Sequence, residues 1–427
     1  MASRPEVIGS SGMSGERPLS LAERRERFQT NWARDLAEEV ADGPVRGFTK
    51  REAGMGLSGR LCWFSAPGRL VVVAGPYQRR RDVDLALAFG LRHVKLEERL
   101  VLVMPEEEAV SRATLVRAPW IDRPLEVWTY DLAGLERGLS ATPVRRPLES
   151  RGRVLQRYTE DHGWGYGTTP PRPDDYRVVL GDQSAWVVDL ATWIDIHPDL
   201  DAEHTKNYAA WKCAGKIVLK IQKSRGELTL TAGIQYSDPR RSPSKVRCSG
   251  ALSEDELSRL TAAVNGAVEE MIDGMGGLYP EHRLQATIAR QEPAILGLKN
   301  LVAECPAWRP YERPHGRAFL DFLGVDEKGT LHVLEAKVGG DVMMVLQGLD
   351  YWIWVTANRN ALAEEFSLGD RPKVEVDFLV SEKGTDEWLG PYSGAQSRAL
   401  APEVVHRFWK ISNWDHGTAP VIELLDA

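Results

Sequence analysis

Residues 317–352, RAFLDFLGVDEKGTLHVLEAKVGGDVMMVLQGLDYW, form the stretch that most clearly predicts a fold in this chain. Two apolar runs flank DEKGT, where Gly329 suits a tight turn, so the stretch predicts a β-hairpin followed by a helix. Strand side chains alternate between two faces, which places Glu335 and Lys337 on the same face, with Asp321 on the preceding strand. Two interpretations follow: a salt-bridged, half-exposed hairpin, or an active site that holds a divalent metal.

The flanking segments predict two helices that carry further polar side chains. YPEHRLQATIARQEPAILGL has the apolar spacing of an amphipathic helix, and Glu281 lies in its first turn, where acidic residues are favoured in any helix. GDVMMVLQGLDYWIWV predicts a second helix, in which Gln347 and Tyr351 are four residues apart and share a face. Trp352 and Trp354 are predicted to pack in the core between this helix and the sheet.

The acidic residues are suited to hold a divalent cation. Carboxylates on adjacent strands, here Asp321 and Glu335, can share a hard cation such as Mg²⁺ or Mn²⁺, which takes oxygen ligands and keeps several waters. The carbonyl of Ala336 can supply another oxygen, and Glu281 can complete the inner or outer shell of the metal. A metal-bound water is easier to deprotonate, and the cation offsets the charge that builds on a phosphate during hydrolysis.

The remaining polar residues have two interpretations each. Lys337 can orient or deprotonate the attacking water, or stabilise the developing charge, whereas cross-strand ion pairs with Asp321 and Glu335 are the structural alternative. The catalytic interpretation is favoured, because burying polar groups on the face that the following helix covers is costly. Gln347 and Tyr351 can grip the substrate backbone or support the carboxylates, or they serve only helix–sheet packing.

The order of these residues resembles the PD-(D/E)XK nuclease superfamily, and the QxxxY element is similar to its RecB-like branch. The setting GRAFLDFLGVDEKGTLHVLEAK also resembles the nuclease domain of NucS-type mismatch endonucleases and of several phage-defence nucleases. The resemblance covers roughly residues 275–385, with Leu320 where the family often has Pro. It implies a restriction-endonuclease-like fold and a Mg²⁺ or Mn²⁺ cofactor. The implied roles are metal ligands Asp321 and Glu335, catalytic Lys337, helix-borne acid Glu281, and the supporting pair Gln347 and Tyr351.

Composition and charge limit the class of protein. At 427 residues the chain exceeds the size at which one core suffices, and 43% hydrophobic with 27% charged residues is typical of a globular protein. No apolar run approaches a membrane span and no signal region is evident, so we expect a cytoplasmic protein with no membrane partner. The net charge of -7 is uneven: residues 1–160 contain 26 Lys and Arg against 22 Asp and Glu, and the rest contain 28 against 39. The acidic C-terminal part does not favour non-specific polyanion binding, but it does not exclude such binding either, because a local groove matters more than the total charge.

The other regions of the chain predict three further parts. Residues 1–20 are rich in Ser, Gly and Pro and are predicted to be disordered. Residues 21–150 alternate strands and helices, which predicts an α/β domain with at least part of its sheet parallel. Residues 151–274 predict a β-rich middle domain with a C-terminal helix, and residues 275–427 predict the nuclease-like domain. The four cysteines form no CxxC pair, as is typical of thiols in a reducing compartment.

The predicted fold class is therefore α/β, with a C-terminal mixed sheet flanked by helices, an α/β N-terminal domain and a β-rich middle segment. The predicted function is hydrolysis of phosphodiester bonds in DNA by a metal-activated water, in DNA repair or in defence against foreign DNA. The sequence leaves RNA open as the substrate. The alternatives are a non-catalytic nucleic-acid-binding protein that retains the nuclease fold, and a structural protein with a fortuitous hairpin. A homodimer is expected if both strands are cut, because paired cleavage needs two active sites.

Overall fold

The computed structural model describes sixteen stretches of the chain: residues 20–46, 61–75, 81–106, 108–137, 142–162, 200–204, 208–213, 216–224, 227–234, 244–248, 253–271, 280–290, 295–308, 318–382, 391–414 and 419–425. The chain forms two compact units, Met1–Thr114 with Arg123–Pro147, and Leu115–Asp122 with Leu148–Ala427. The domain boundaries expected near residues 150 and 274 stay predictions. No helix in the described stretches is long and apolar enough to cross a membrane.

The first unit is built on a five-stranded mixed sheet. Its strands are β1 (Leu61–Ala66), β2 (Arg69–Ala74), β3 (Arg99–Pro105), β4 (Leu125–Tyr130) and β5 (Val144–Arg146), which follow one another in that order across the sheet. The helices are α1 (Leu21–Arg27), α2 (Ala33–Ala41), α3 (Arg81–His93), α4 (Glu108–Arg117) and α5 (Leu132–Glu136), with a π-helical turn (Phe28–Trp32) between α1 and α2. Strands β2, β3 and β4 are parallel, which confirms the predicted α/β layer, and β1 and β5 pair antiparallel at the edges.

The second unit contains an antiparallel sheet covered by a helix. The unit includes Leu115–Arg117 at the end of α4, the 3₁₀ turn Ala118–Trp120 and helix α6 (Arg151–His162). The sheet consists of β6 (Leu200–His204), β7 (Tyr208–Cys213), β8 (Lys216–Ser224), β9 (Glu227–Ala232) and β10 (Ser244–Cys248). The helix α7 (Glu254–Glu269) starts at a capping box in which Ser253 and Glu256 bond each other's backbone. Its apolar residues Leu260 and Val264 pack in one core with Trp211 and Leu219 of the sheet. The β-rich middle region is therefore confirmed.

A six-stranded mixed sheet forms the rest of the second unit. The elements after α7 are α8 (Pro280–Ala289), a 3₁₀ turn (Ile295–Gly297), β11 (Lys299–Ala307), β12 (Ala318–Val325), β13 (Leu331–Lys337), α9 (Met344–Glu365), β14 (Val374–Ser381), α10 (Pro391–Ala399), β15 (His406–Ser412) and β16 (Val421–Leu425). The strands lie in sequence order, with β13, β14 and β15 parallel and the other neighbours antiparallel. The predicted mixed sheet flanked by helices is confirmed. The helix expected over residues 279–298 was too long: α8 ends at Ala289, and Pro293 within that span removes a backbone donor.

Helix α9 is the most deeply buried helix of this sheet. Fifteen of its residues are buried, Trp352 and Trp354 among them, so both tryptophans lie in the core as predicted. A helix that is apolar on all sides must be covered on all sides. It approaches β14 closely because Gly348 has no side chain: a Cβ there would lie 2.5 Å from Phe378 Cζ and 3.2 Å from Val376 Cγ1.

Replacement of Gly348 by alanine should therefore destabilise the protein. The added methyl group would overpack the contact with Phe378, and we expect the free energy of unfolding to fall by about 1–3 kcal/mol. Gly266 in α7 is the matched control, because a Cβ there meets nothing within 4 Å. Gly266→Ala should raise the free energy of unfolding by up to about 1 kcal/mol through helix propensity. Urea denaturation of both variants measures the difference, and stabilisation by both would contradict the close approach of α9 to β14.

The face of β13 opposite Glu335 carries a buried histidine. His332 Nδ1 lies 2.6 Å from Asp377 Oδ2, and Trp409 Nε1 donates to Asp377 Oδ1 over 2.7 Å. Burial lowers the pKa of His332, but the hydrogen bond and charge of Asp377, with a further contribution from Asp326, raise it above its usual value. The charged imidazole is therefore favoured in the folded protein over the unfolded chain.

The stability of the protein should consequently depend on pH through His332. The contribution is fully present below the unfolded pKa of about 6.5 and is lost as the pH rises through the raised folded pKa. We expect the free energy of unfolding of the wild type to fall from about pH 6.5 upward, whereas His332→Gln lacks this component. Urea denaturation of both proteins across this range is the measurement. Parallel curves for the two proteins would show that the His332–Asp377 pair does not titrate in this way.

Candidate active site

The predicted hairpin is formed by β12 and β13, and a polar turn holds it. Asp326 Oδ1 accepts hydrogen bonds from the backbone N–H of Lys328 (2.9 Å) and Thr330 (2.7 Å). Gly329 has a φ of 78°, in the left-handed region that glycine adopts without strain. Phe322 pairs with Leu334, so one further step along the register brings Asp321 opposite Glu335 on the same face.

The carboxylate of Asp321 is half-buried and held at both oxygens. Gln285 Nε2 of α8 donates to its Oδ1 over 2.7 Å, and the backbone N–H of Ala336 donates to its Oδ2 over 2.7 Å. Burial and the charge of Glu335 raise the pKa of Asp321 well above its usual value, and Lys337 opposes them. Two carboxylates therefore face each other at this point of the sheet. Ala336 contributes its amide here, and its carbonyl as a metal ligand stays a prediction.

Lys337 lies between two further carboxylates. Its Nζ donates to Glu281 Oε1 over 2.6 Å and lies 2.9 Å from Glu335 Oε1. Glu335 is fully buried, whereas Glu281, in the first turn of α8 as predicted, remains partly exposed. Burial lowers the pKa of Lys337, but Glu335, Asp321 and Glu281 together raise it well above its usual range. The ammonium group is therefore the positive centre of an otherwise acidic cluster.

The two predicted residues of α9 reach the hairpin at different points. Gln347 Nε2 donates to Glu335 Oε1 over 2.6 Å, so it fixes that carboxylate directly. Tyr351 OH donates to the backbone carbonyl of Phe319 over 2.7 Å and does not reach the carboxylates through that bond. The structure thus brings Glu281, Asp321, Glu335, Lys337 and Gln347 into one connected set, and Tyr351 anchors the strand that carries Asp321.

Two contributors to this set were not expected from the sequence. Gln285 lies four residues after Glu281 and so on the same side of α8, a spacing that was available as a signal. Its Oε1 lies 3.2 Å from His282 Nδ1, which orients the amide so that Nε2 faces Asp321. Burial, with the charge of Lys216, lowers the pKa of His282. A neutral imidazole that donates from Nδ1 fits this arrangement.

The second unexpected contributor is the end of the β7–β8 pair of the middle sheet. Lys212 Nζ lies 2.7 Å from Glu304 Oε2 of β11. Lys216 is buried, and burial lowers its pKa to about 8, while the charges of Glu304 and Glu281 oppose this shift. Positive side chains from a separate sheet therefore adjoin the acidic cluster. Nothing in the local sequence around these lysines indicates that position.

The donor set fits a hard divalent cation. Among the residues that the structure describes, no group of three or more His, Cys, Asp and Glu side chains has the arrangement of a metal site. Mg²⁺, however, is commonly held by only one or two carboxylates and keeps several of its waters. Asp321 and Glu335 supply such oxygen ligands, and burial together with the charge of Glu335 raises the pKa of Asp321, as expected for two neighbouring carboxylates.

Comparisons with known proteins give distant similarity to solved structures. No family model and no curated protein sequence matches the chain. Among solved structures, it matches the crystal structure of a repair endonuclease from Pyrococcus abyssi, with 15% sequence identity and a TM-score of 0.17. The match covers 49% of this chain and 79% of that chain. The similarity is distant, and the geometry of the site stands independently of it.

Proposed function

We propose that this protein is a metal-dependent nuclease that hydrolyses phosphodiester bonds in DNA, in repair or in defence against foreign DNA. The observation that supports this most directly is the cluster in which Asp321 and Glu335 face each other beside the Lys337 ammonium group. An acidic pair beside a lysine ammonium group suits phosphoryl transfer, because the reaction builds negative charge on the non-bridging oxygens of the phosphate. The resemblance of the same residues to the PD-(D/E)XK superfamily points to the same reaction.

Each residue of the cluster then has a specific role. Asp321 and Glu335 would hold a Mg²⁺ or Mn²⁺ ion, which when bound supplies positive charge opposite the phosphate and acidifies water. Lys337 places its ammonium group next to the same phosphate and offsets the charge that develops as water attacks phosphorus. Gln285 and Gln347 keep the two carboxylates in fixed orientations, as hydrogen-bonded ligands require.

The test is a cleavage assay with substrates of different classes. Purified protein is incubated with plasmid, linear duplex DNA, single-stranded DNA and RNA, with Mg²⁺, with Mn²⁺ and with EDTA. We expect strand cleavage of DNA that requires the metal and stops with EDTA. Tight DNA binding without cleavage under every condition would favour a non-catalytic nucleic-acid-binding protein. The proposal would be overturned if the protein neither bound nor cleaved DNA under any of these conditions.

A further inference from the structure

A buried ion pair fixes the helix that carries Gln347. Arg117 Nε donates to Asp350 Oδ1 over 2.8 Å, and Arg117 Nη2 donates to Asp350 Oδ2 over 2.7 Å. Both side chains have zero exposure to solvent. Two parallel bonds between a planar guanidinium and a carboxylate allow only a narrow range of relative orientations. Asp350 therefore holds a fixed orientation with respect to Arg117.

The segment that carries Arg117, Leu115–Asp122, belongs to the second unit and contacts the rest of that unit at several other points. The ring of Trp120 lies edge-on to Trp352, with centroids 4.9 Å apart. The backbone of Ala401 donates to the carbonyl of Trp120 over 2.8 Å, and Asp122 donates to the carbonyl of Ala399 over 2.7 Å. Docking of the segment thus does not depend on the ion pair alone. A buried ion pair is seldom more stabilising than an apolar pair of similar volume, so its distinctive property here is orientation.

The position of Asp350 on α9 connects that orientation to the site. Asp350 follows Gln347 by three residues and directly precedes Tyr351, so all three lie within about one turn. On the sheet side, the close contact of α9 is made by Gly348 against Phe378. Trp352 Nε1 also donates to the carbonyl of Val374 over 3.0 Å, and Tyr351 OH donates to that of Phe319 over 2.7 Å, so the Arg117–Asp350 pair adds to these restraints on rotation of the helix about its axis. The 2.6 Å hydrogen bond from Gln347 to Glu335 depends on the rotation of the helix, because turning α9 about its axis moves Gln347 Nε2 relative to Glu335 Oε1.

We propose that Arg117 is a positioning residue of the candidate active site: its two hydrogen bonds to Asp350 help to fix the rotation of α9, so that Gln347 stays bonded to Glu335. This inference rests on the proposed nuclease function. It makes the orientation of a metal-binding carboxylate depend on a residue 233 positions away from Asp350 in the chain. The C-terminal sheet alone would then lack part of what orders its own site.

The test uses full-length variants that avoid a buried unpaired charge. Arg117→Met with Asp350→Leu replaces the ion pair by apolar side chains. Gln347→Ala removes the side chain that the ion pair is proposed to position. Arg151→Met is the matched control. Arg151 donates to the carbonyl of Pro119 over 2.7 Å, so its replacement removes another arginine bond to the same segment and leaves the Arg117–Asp350 pair in place. The measurements are kcat and KM for DNA cleavage and, without substrate, Mn²⁺ affinity by electron paramagnetic resonance.

The double variant should lower kcat by about 10-fold or more and leave KM within about twofold, as expected for loss of support to a metal ligand. In the Gln347→Ala background, the same double change should have almost no further effect on kcat or on Mn²⁺ affinity, because its target is absent. Arg151→Met should behave as the wild type. The inference would be overturned if the double variant had the kcat of the wild type. It would also be overturned if the double change lowered kcat by the same factor in the Gln347→Ala background as in the wild type. Absence of cleavage by the wild type would overturn the proposed function instead. The Mn²⁺ affinities would still test whether the Arg117–Asp350 pair positions Gln347.

Discussion

Replacement of Asp321 by alanine should abolish metal-dependent DNA cleavage, with kcat at least about 1000-fold below that of the wild type. Asp321 is one of the two carboxylates that face each other across β12 and β13, and its loss leaves Glu335 to hold the cation alone. The protein should remain folded, because burial and Glu335 raise the pKa of Asp321 and the ionised carboxylate therefore weakens the folded state at neutral pH. Plasmid cleavage and circular dichroism of the same preparation measure both effects.

The matched control for this variant is Glu327→Ala. Glu327 is an exposed acid at the tip of the same hairpin, so its removal changes the net charge equally without touching the cluster. It should cleave as the wild type does. Cleavage by Asp321→Ala at a rate close to that of the wild type would show that the reaction occurs elsewhere, or that a contaminating nuclease produces it.

Replacement of Lys337 by methionine should reduce both activity and stability. The ammonium group is bonded to Glu281 and Glu335, and Glu335 is fully buried. Its removal leaves buried negative charge uncompensated, which should lower the free energy of unfolding by about 3–5 kcal/mol. Under the proposed function, loss of the positive charge that Lys337 would place beside the phosphate should lower kcat by about 100-fold or more. Urea denaturation and single-turnover cleavage are the measurements.

Lys328→Met is the control for this prediction. Lys328 is exposed on the same hairpin, and it is its backbone N–H that donates to Asp326 in the turn, so the substitution leaves that bond in place. It should match the wild type in both measurements. If Lys337→Met were destabilised but cleaved normally, Lys337 would be a structural counter-charge for the carboxylates, which is the cross-strand interpretation of the hairpin.

Local patterns were enough to predict most of the elements around the site. Period-two alternation correctly placed Glu335 and Lys337 on one face of β13, and helical spacing placed Gln347 and Tyr351 on one side of α9. The turn at Gly329 and the capping box at Ser253 also depend only on residues within a few positions of each other. The extent of α8 was overestimated because apolar spacing continued in the sequence past the end of the helix at Ala289.

By itself, the sequence determined the secondary structure around the candidate site and the faces on which its acidic residues lie, because those features follow from backbone geometry over a few residues. Only the tertiary structure decided which distant groups complete the candidate site. Three interactions join elements far apart in the chain: the hydrogen bond of Gln285 to Asp321, the charge interaction of Lys216 with Glu281, and the ion pair of Arg117 with Asp350. No local periodicity encodes such pairs, since they depend on how sheets and helices pack once each has formed.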